Sequence, residues 1–159
     1  MKPDLTKGEL LIGDVLVTPN VNEDALFNSD VFKTSDEKGS RFVIFDSIND
    51  TDINGQMFTV EAYFTKGKLY KIILKPTNLE MPNPGYPDEK YQAVRRAACD
   101  KWLIDAFGYK GEIKENERES SMKYSFDWGC IYSASTFWGR NEFSAGKIYI
   151  RVSEGCNHE

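Results

Sequence analysis

The sequence contains very little histidine. Only one of its 159 residues is a histidine, His158, and it lies beside the C-terminus. A second histidine is therefore missing for a metal site, and the fold offers no Ser/His/Asp or Cys/His pair. No glycine loop of the phosphate-cradling kind is present. These absences exclude the most familiar catalytic arrangements, and they predict a chain that is not an enzyme and needs no cofactor.

Basic residues are in the minority as well. The chain has 20 Lys and Arg against 25 Asp and Glu, so its formal net charge is −5. Nucleic-acid binding usually needs a basic stripe, so no nucleic-acid partner is expected. An acidic balance fits simple solubility, and it also fits a basic partner.

Long apolar runs and paired cysteines are missing too. No run approaches the roughly 20 apolar residues of a membrane span, and residues 1–9 lack the apolar segment of a signal peptide. The three cysteines, Cys99, Cys130 and Cys156, are odd in number and match no metal-binding spacing. We expect Cys99 and Cys130 to be small buried residues with free thiols. Unpaired cysteines and no visible leader predict a cytoplasmic protein without a membrane partner.

The residues that are present indicate a globular protein. Hydrophobic residues make up 40% of the chain and aromatic residues 13%, which is enough for a packed core at this length. No linker or low-complexity block divides the sequence. We therefore predict one domain over residues 1–159, with a flexible tail at 154–159.

The order of elements predicts an α+β fold. One strand at 10–17, or two short ones around Gly13–Asp14, precedes a short helix at 21–27 with Asn20 as its N-cap. Three strands follow, then a long helix at 88–107 that ends at Gly108, then three more strands. The links between strands are short. This favours an antiparallel sheet of about six to seven strands, with one long and one short helix packed on one face.

The clearest hairpin joins residues 57–64 to 68–75. A two-residue loop at Lys66–Gly67 would set Ala62 opposite Lys71, an apolar residue against a charge. A three-residue loop instead pairs Ala62 with Tyr70 and keeps the apolar residues on one face. The sequence therefore favours the three-residue loop, with Gly67 in the left-handed conformation.

Polar side chains at two places have groups that catalysis or anion binding could use, but neither pattern predicts such a site. Ser133 and Ser135 lie on a predicted strand, and without an identifiable base they are interpreted as ordinary strand serines. The Arg95–Arg96 pair on the long helix is interpreted as a solvated helix face.

One loop resembles an oxygen-rich cation site. Asp50, Asp52, Asn54 and Gly55 match positions 1, 3, 5 and 6 of a calcium loop. The glutamate required at position 12 would be Glu61, which is predicted to lie inside a strand. A ligand- or calcium-binding role through Asp50, Asp52 and Asn54 is therefore the alternative function.

A protein-binding surface is predicted near the C-terminus. Tyr132, Phe137 and Trp138 cluster where a strand becomes a turn, with Arg140 beside them, and such residues anchor protein interfaces. Glu115 and Glu117 belong to an acidic stretch that would steer a basic partner.

The C-terminal half resembles a known group of proteins. The helix end at 101–108 (KWLIDAFG), the segment 124–133 (YSFDWGCIYS) and the closing strand 147–151 (KIYIR) carry the resemblance. They resemble small bacterial proteins, among them immunity proteins that neutralise polymorphic or contact-dependent toxins. The resemblance implies a binding protein without catalytic residues. Together with the acidic balance of the chain, it predicts a protein that occludes a basic toxin domain.

Overall fold

A computed structural model describes residues 2–79, 89–116, 119–136, 146–152 and 156. Helix α1 covers Glu23–Phe27, and its N-cap is Asn22, whose side chain accepts a hydrogen bond from the Asp24 amide at 2.9 Å. The predicted cap, Asn20, lies two residues too early. Helix α2 covers Glu89–Phe107. It ends as predicted at Gly108, a residue with φ of 80° whose amide donates to the Ile104 carbonyl.

Eleven strands are present in the described residues, together with a 3-10 turn at Leu5–Lys7. They are β1 Leu10–Ile12, β2 Val15–Val17, β3 Phe32–Lys33, β4 Phe42–Ser47, β5 Thr51–Ile53, β6 Gln56–Thr65, β7 Lys68–Pro76, β8 Glu112–Glu115, β9 Glu119–Phe126, β10 Gly129–Thr136 and β11 Lys147–Val152.

Nine of these strands form one sheet in the order β3-β4-β6-β7-β11-β10-β9-β8, with β5 added beside β6. Every recorded pairing is antiparallel. The α+β prediction is confirmed, with more strands than the six to seven expected. Strands β1 and β2 form a separate hairpin, as the break at Gly13–Asp14 suggests.

The core lies on one face of the sheet. A single row of side chains crosses six strands, each residue opposite the next in register, and every member is buried: Phe45, Ala62, Ile72, Ile150, Ile131 and Tyr124. Both helices cover this face. Trp102 of α2 packs edge-on against Phe58, and Phe27 of α1 packs edge-on against Phe45.

The β6–β7 hairpin has a different loop and register from those predicted. The loop has two residues, Lys66 and Gly67, both with positive φ. A bulge then leaves Tyr70 unpaired, so Ala62 lies opposite Ile72. The predicted pairing of Ala62 with Tyr70 is wrong by two residues. The apolar residues nevertheless lie on one face as predicted, because the bulge restores the alternation.

Residues 112–115 form the edge strand β8, which pairs with β9. Gly129, at the start of β10, makes a close backbone approach, because a Cβ atom there would lie 2.0 Å from the Arg151 carbonyl oxygen. This contact leaves no room for a side chain at position 129.

Candidate functional site

The sheet face opposite the two helices presents an unusual set of side chains. The four central strands contribute three residues each in cross-strand register. We call this set the polar face: Thr59, Glu61, Tyr63, Lys71, Ile73, Lys75, Cys130, Tyr132, Ala134, Lys147, Tyr149 and Arg151. The alternation of β-strand side chains places them there, because their neighbours in sequence fill the core.

The charge of the polar face is opposite to that of the chain. Four of its residues, Lys71, Lys75, Lys147 and Arg151, are cationic, whereas Glu61 is its single acid. Glu61 is already engaged, since its carboxylate lies 3.4 Å from the Lys75 Nζ and accepts a hydrogen bond from the Tyr63 hydroxyl at 3.3 Å. A locally positive surface therefore exists on a protein of net charge −5.

Tyrosine rings hold the cations in place. Lys71 Nζ lies 4.3 Å from the centroid of the Tyr63 ring. Arg151 Nε donates a hydrogen bond of 2.6 Å to the Tyr132 hydroxyl, and the Tyr132 ring stacks on Tyr149 with centroids 5.1 Å apart. Cation–π contacts and hydrogen bonds of this kind orient otherwise flexible side chains.

Burial, and after it the neighbouring charges, shifts the pKa values of residues on this face. Burial, then the nearby charges of Lys75, Arg95 and Lys71, lowers the pKa of Lys147 to about 8. Burial and the charge of Arg151 lower the pKa of Lys71. Burial, the charge of Glu61 and the hydrogen bond to Glu61 raise the pKa of Tyr63 to about 12. Tyr63 thus stays neutral at physiological pH, and the positive charges repel one another.

Apolar side chains extend the polar face at β4. Strand β4 alternates between its two faces, and its buried residues are Val43 and Phe45. Phe42 is 57% exposed and Ile44 is 40% exposed, and Ile44 lies opposite Tyr63 in register. An exposed apolar border beside aromatic and cationic residues is typical of protein-binding surfaces.

Two of the predicted partner-binding residues can be placed. Tyr132 lies in the middle of β10 and is 9% exposed, rather than at the strand-to-turn junction expected from the sequence. Glu115 is the exposed last residue of the edge strand β8. Phe137, Trp138, Arg140 and Glu117 lie outside the described residues. Their partner-binding role stays a prediction.

The residues of the calcium alternative form a hairpin turn. Asn54 and Gly55, with φ of 51° and 90°, link β5 to β6. The Asp52 carboxylate accepts a hydrogen bond from the Gly55 amide at 2.9 Å, which is ordinary turn chemistry. Asp50 precedes β5, and Glu61 lies within β6 as expected. In the described part of the chain, no three His, Cys, Asp or Glu residues are grouped to hold a metal ion.

A second polar cluster lies between α2 and the sheet. Arg96 Nε donates to Asp100 at 2.9 Å, and Arg96 Nη1 donates to the Ser120 carbonyl and the Ser135 hydroxyl. The Ser133 hydroxyl donates to the same Asp100 oxygen. The interpretation of Arg96 as a solvated residue is therefore wrong, since its side chain is 13% exposed. The cluster fastens α2 to β10.

The cysteines are not all free, contrary to expectation. Cys130 and Cys156 form a disulfide, and Cys99 is the buried free thiol. Burial raises the pKa of Cys99 to about 12, as is typical of an inert cysteine. The disulfide brings residue 156 to the polar face, where its carbonyl accepts a hydrogen bond from Lys123. No described helix is both long and apolar enough to span a membrane.

Sequence comparison identifies no relative, because the chain matches no protein-family model and no curated protein. Comparison of structures does find a similar fold. The chain is similar to one in the solved structure of Rhs1-CT in complex with its cognate immunity protein RhsI1, with a TM-score of 0.58 and 14% sequence identity. The similarity covers 99% of this chain and 89% of the other. At this identity the likeness concerns the fold.

Proposed function

We propose that this chain is an immunity-type protein, which neutralises a toxin domain by binding and occluding it. The observation that carries the proposal is the likeness of fold, over 99% of the chain, to a chain of a complex that contains an immunity protein. The resemblance of segments 101–108, 124–133 and 147–151 to immunity proteins supports it independently.

The chemistry of the polar face supports a protein partner. Tyr63, Arg151 and the exposed Phe42 are of the residue types that contribute most to binding energy at protein interfaces. They lie on a broad β-sheet, whose rigid backbone limits the entropy lost on binding. We therefore assign the polar face and its β4 border as the main contact surface.

The acidic edge supports a toxin domain that is basic overall. Glu112 and Glu115 on β8 and Glu119 on β9 are exposed at one end of the sheet, and the chain as a whole is negative. Such a field accelerates encounter with a positive partner. In this proposal the acidic edge steers the toxin and the polar face binds it. Catalysis has no part in the proposal.

The proposed location is the cytoplasm, where an immunity protein meets an incoming toxin. The prediction of a cytoplasmic location rested partly on unpaired cysteines. Cys130 and Cys156 instead form a disulfide, and such bonds are rare in a reducing cytoplasm. Alkylation of thiols in freshly lysed cells, followed by mass spectrometry, reports the oxidation state of this pair. A fully reduced pair supports a cytoplasmic location, and a fully oxidised pair contradicts it.

Co-expression tests the function. The toxin domain encoded beside this gene should stop growth when expressed alone, and this chain should restore growth and bind that domain in pull-down assays. A variant of this chain with the triple change Phe42→Asp, Tyr63→Ala and Arg151→Ala alters the proposed contact surface. It should neither bind the toxin domain nor restore growth. If this chain stops growth when expressed alone, or fails to protect, the proposal is wrong.

A further inference from the structure

We infer that Lys71 and Arg151 form a binding site for a carboxylate, which receives an Asp or Glu side chain of the partner protein. The inference rests on the proposed function, and it adds the chemistry by which the polar face recognises its partner.

Lys71 and Arg151 face each other, and no described carboxylate lies within ion-pair distance of either. Lys71 on β7 and Arg151 on β11 are directly opposite in register, and both side chains are half-buried. Like charges directly opposite on neighbouring strands destabilise a sheet. The fold therefore maintains an unfavourable arrangement that an incoming anion would relieve.

Both cations are preorganised. Lys71 lies over the Tyr63 ring at 4.3 Å, and the Tyr70 ring lies 6.0 Å away. Arg151 is fixed through Nε by the hydroxyl of Tyr132. Its terminal nitrogens make no hydrogen bond to the described residues, so they are available to bind a carboxylate. A fixed guanidinium loses little entropy when it binds a carboxylate, so such a site binds well for its size.

The surroundings favour a single protein carboxylate over a nucleic acid. Glu61 lies close enough to Lys71 to influence its ionisation, and its negative charge opposes a continuous phosphate backbone. Beyond the two cations lie Phe42 and Ile44, which are exposed and apolar. Apolar contacts around a central charged pair are typical of protein–protein interfaces.

Neutral substitutions test the site directly. Lys71→Met and Arg151→Met remove one charge each and retain much of the apolar side chain. We expect each to weaken binding of the neighbouring toxin domain about 30-fold or more in calorimetry, the loss typical of a truncated charge in a buried pair. The matched control is Lys110→Met, which removes an exposed charge between α2 and β8. It should change affinity less than about 2-fold.

A stability measurement separates binding from folding. Because Lys71→Met relieves the repulsion with Arg151, its melting temperature should equal or exceed that of the wild type. A variant that binds poorly and melts as high as the wild type supports the carboxylate site. A variant that binds poorly and also melts several degrees below the wild type contradicts the carboxylate site.

Charge exchange identifies the partner group. An Asp or Glu→Lys change in the toxin domain should abolish binding to the wild type and restore it to Lys71→Glu. If Lys71→Met and Arg151→Met both bind within 2-fold of the wild type, this inference is wrong while the proposed function stands. If the toxin domain does not bind at all, the proposed function fails. Tight binding of a mixed-sequence DNA or RNA oligonucleotide at the same residues would also overturn the inference.

Discussion

Trp102 and Ile53 are joined by a buried hydrogen bond across 49 residues of sequence: the indole Nε1 donates to the Ile53 carbonyl at 2.7 Å. The bond fastens α2 to the small β5–β6 hairpin, while the same ring packs edge-on against Phe58. One side chain thus satisfies a buried carbonyl and fills the core.

Trp102→Phe should cost about 1–3 kcal/mol of unfolding free energy, because it leaves the Ile53 carbonyl without its donor. Trp102→Ala should cost about 3–5 kcal/mol, since it also leaves a cavity. Urea denaturation followed by circular dichroism measures both. A Trp102→Phe variant as stable as the wild type would show that the hydrogen bond contributes nothing.

The two i,i+4 ion pairs of α2 should differ in strength. Arg96, 13% exposed, also binds β9 and β10, whereas Lys101, 77% exposed, forms a surface ion pair with Asp105. Arg96→Met should therefore cost about 3 kcal/mol, as for a broken buried pair. Lys101→Met should cost less than about 0.5 kcal/mol. Urea denaturation of both variants checks this, and similar losses would contradict it.

Thiol counting tests the cysteine assignment. The chain has three cysteines, of which Cys99 is buried and the other two form a disulfide. A thiol reagent should therefore detect no thiol in the native protein, one after denaturation, and three after denaturation with a reductant. Detection of three thiols after denaturation alone would disprove the disulfide.

The disulfide should stabilise the fold. It closes a loop with a sequence separation of 26, and a loop of that size is worth about 2–4 kcal/mol through restriction of the unfolded chain. Cys156→Ser should lower the unfolding free energy by this amount under oxidising conditions. Under reducing conditions it should have almost no effect, which provides the internal control.

Lys147 should make stability rise with pH. Its pKa is lowered from 10.5 to about 8 by burial and by Lys75, Arg95 and Lys71, with Glu61 acting in the opposite direction. Between these values the unfolded chain binds more protons than the folded one, so the unfolding free energy increases with pH. Below pH 8 Lys147 is charged in both states, so the unfolding free energy is reduced by the full cost of burying its charge.

The comparison with Lys147→Met isolates this effect. The wild-type unfolding free energy minus that of the variant should increase by on the order of 1–3 kcal/mol between pH 7 and 10.5. The subtraction removes the opposite contributions of Cys99 and Tyr63, whose raised pKa values lower stability at high pH. A difference that stays constant with pH would contradict the assignment.

Local patterns predicted the elements well and their partners poorly. The end of α2 at Gly108 and the left-handed conformation of Gly67 depend on neighbours in sequence, and both were predicted. The register of β6 on β7 was missed because a bulge at Tyr70 changes the pairing without changing the pattern. Tyr132 was placed at a turn because its partner Tyr149 lies on another strand.

The sequence by itself determined the fold class, the two helices and the alternation that separates core from surface, since these follow from short-range preferences and from hydrophobic burial. Tertiary structure alone decided that β11 inserts between β7 and β10. That insertion sets Lys71 against Arg151 on the face that we propose binds the partner. Contacts between distant strands depend on the packing of the whole sheet, and no local pattern in the chain encodes them.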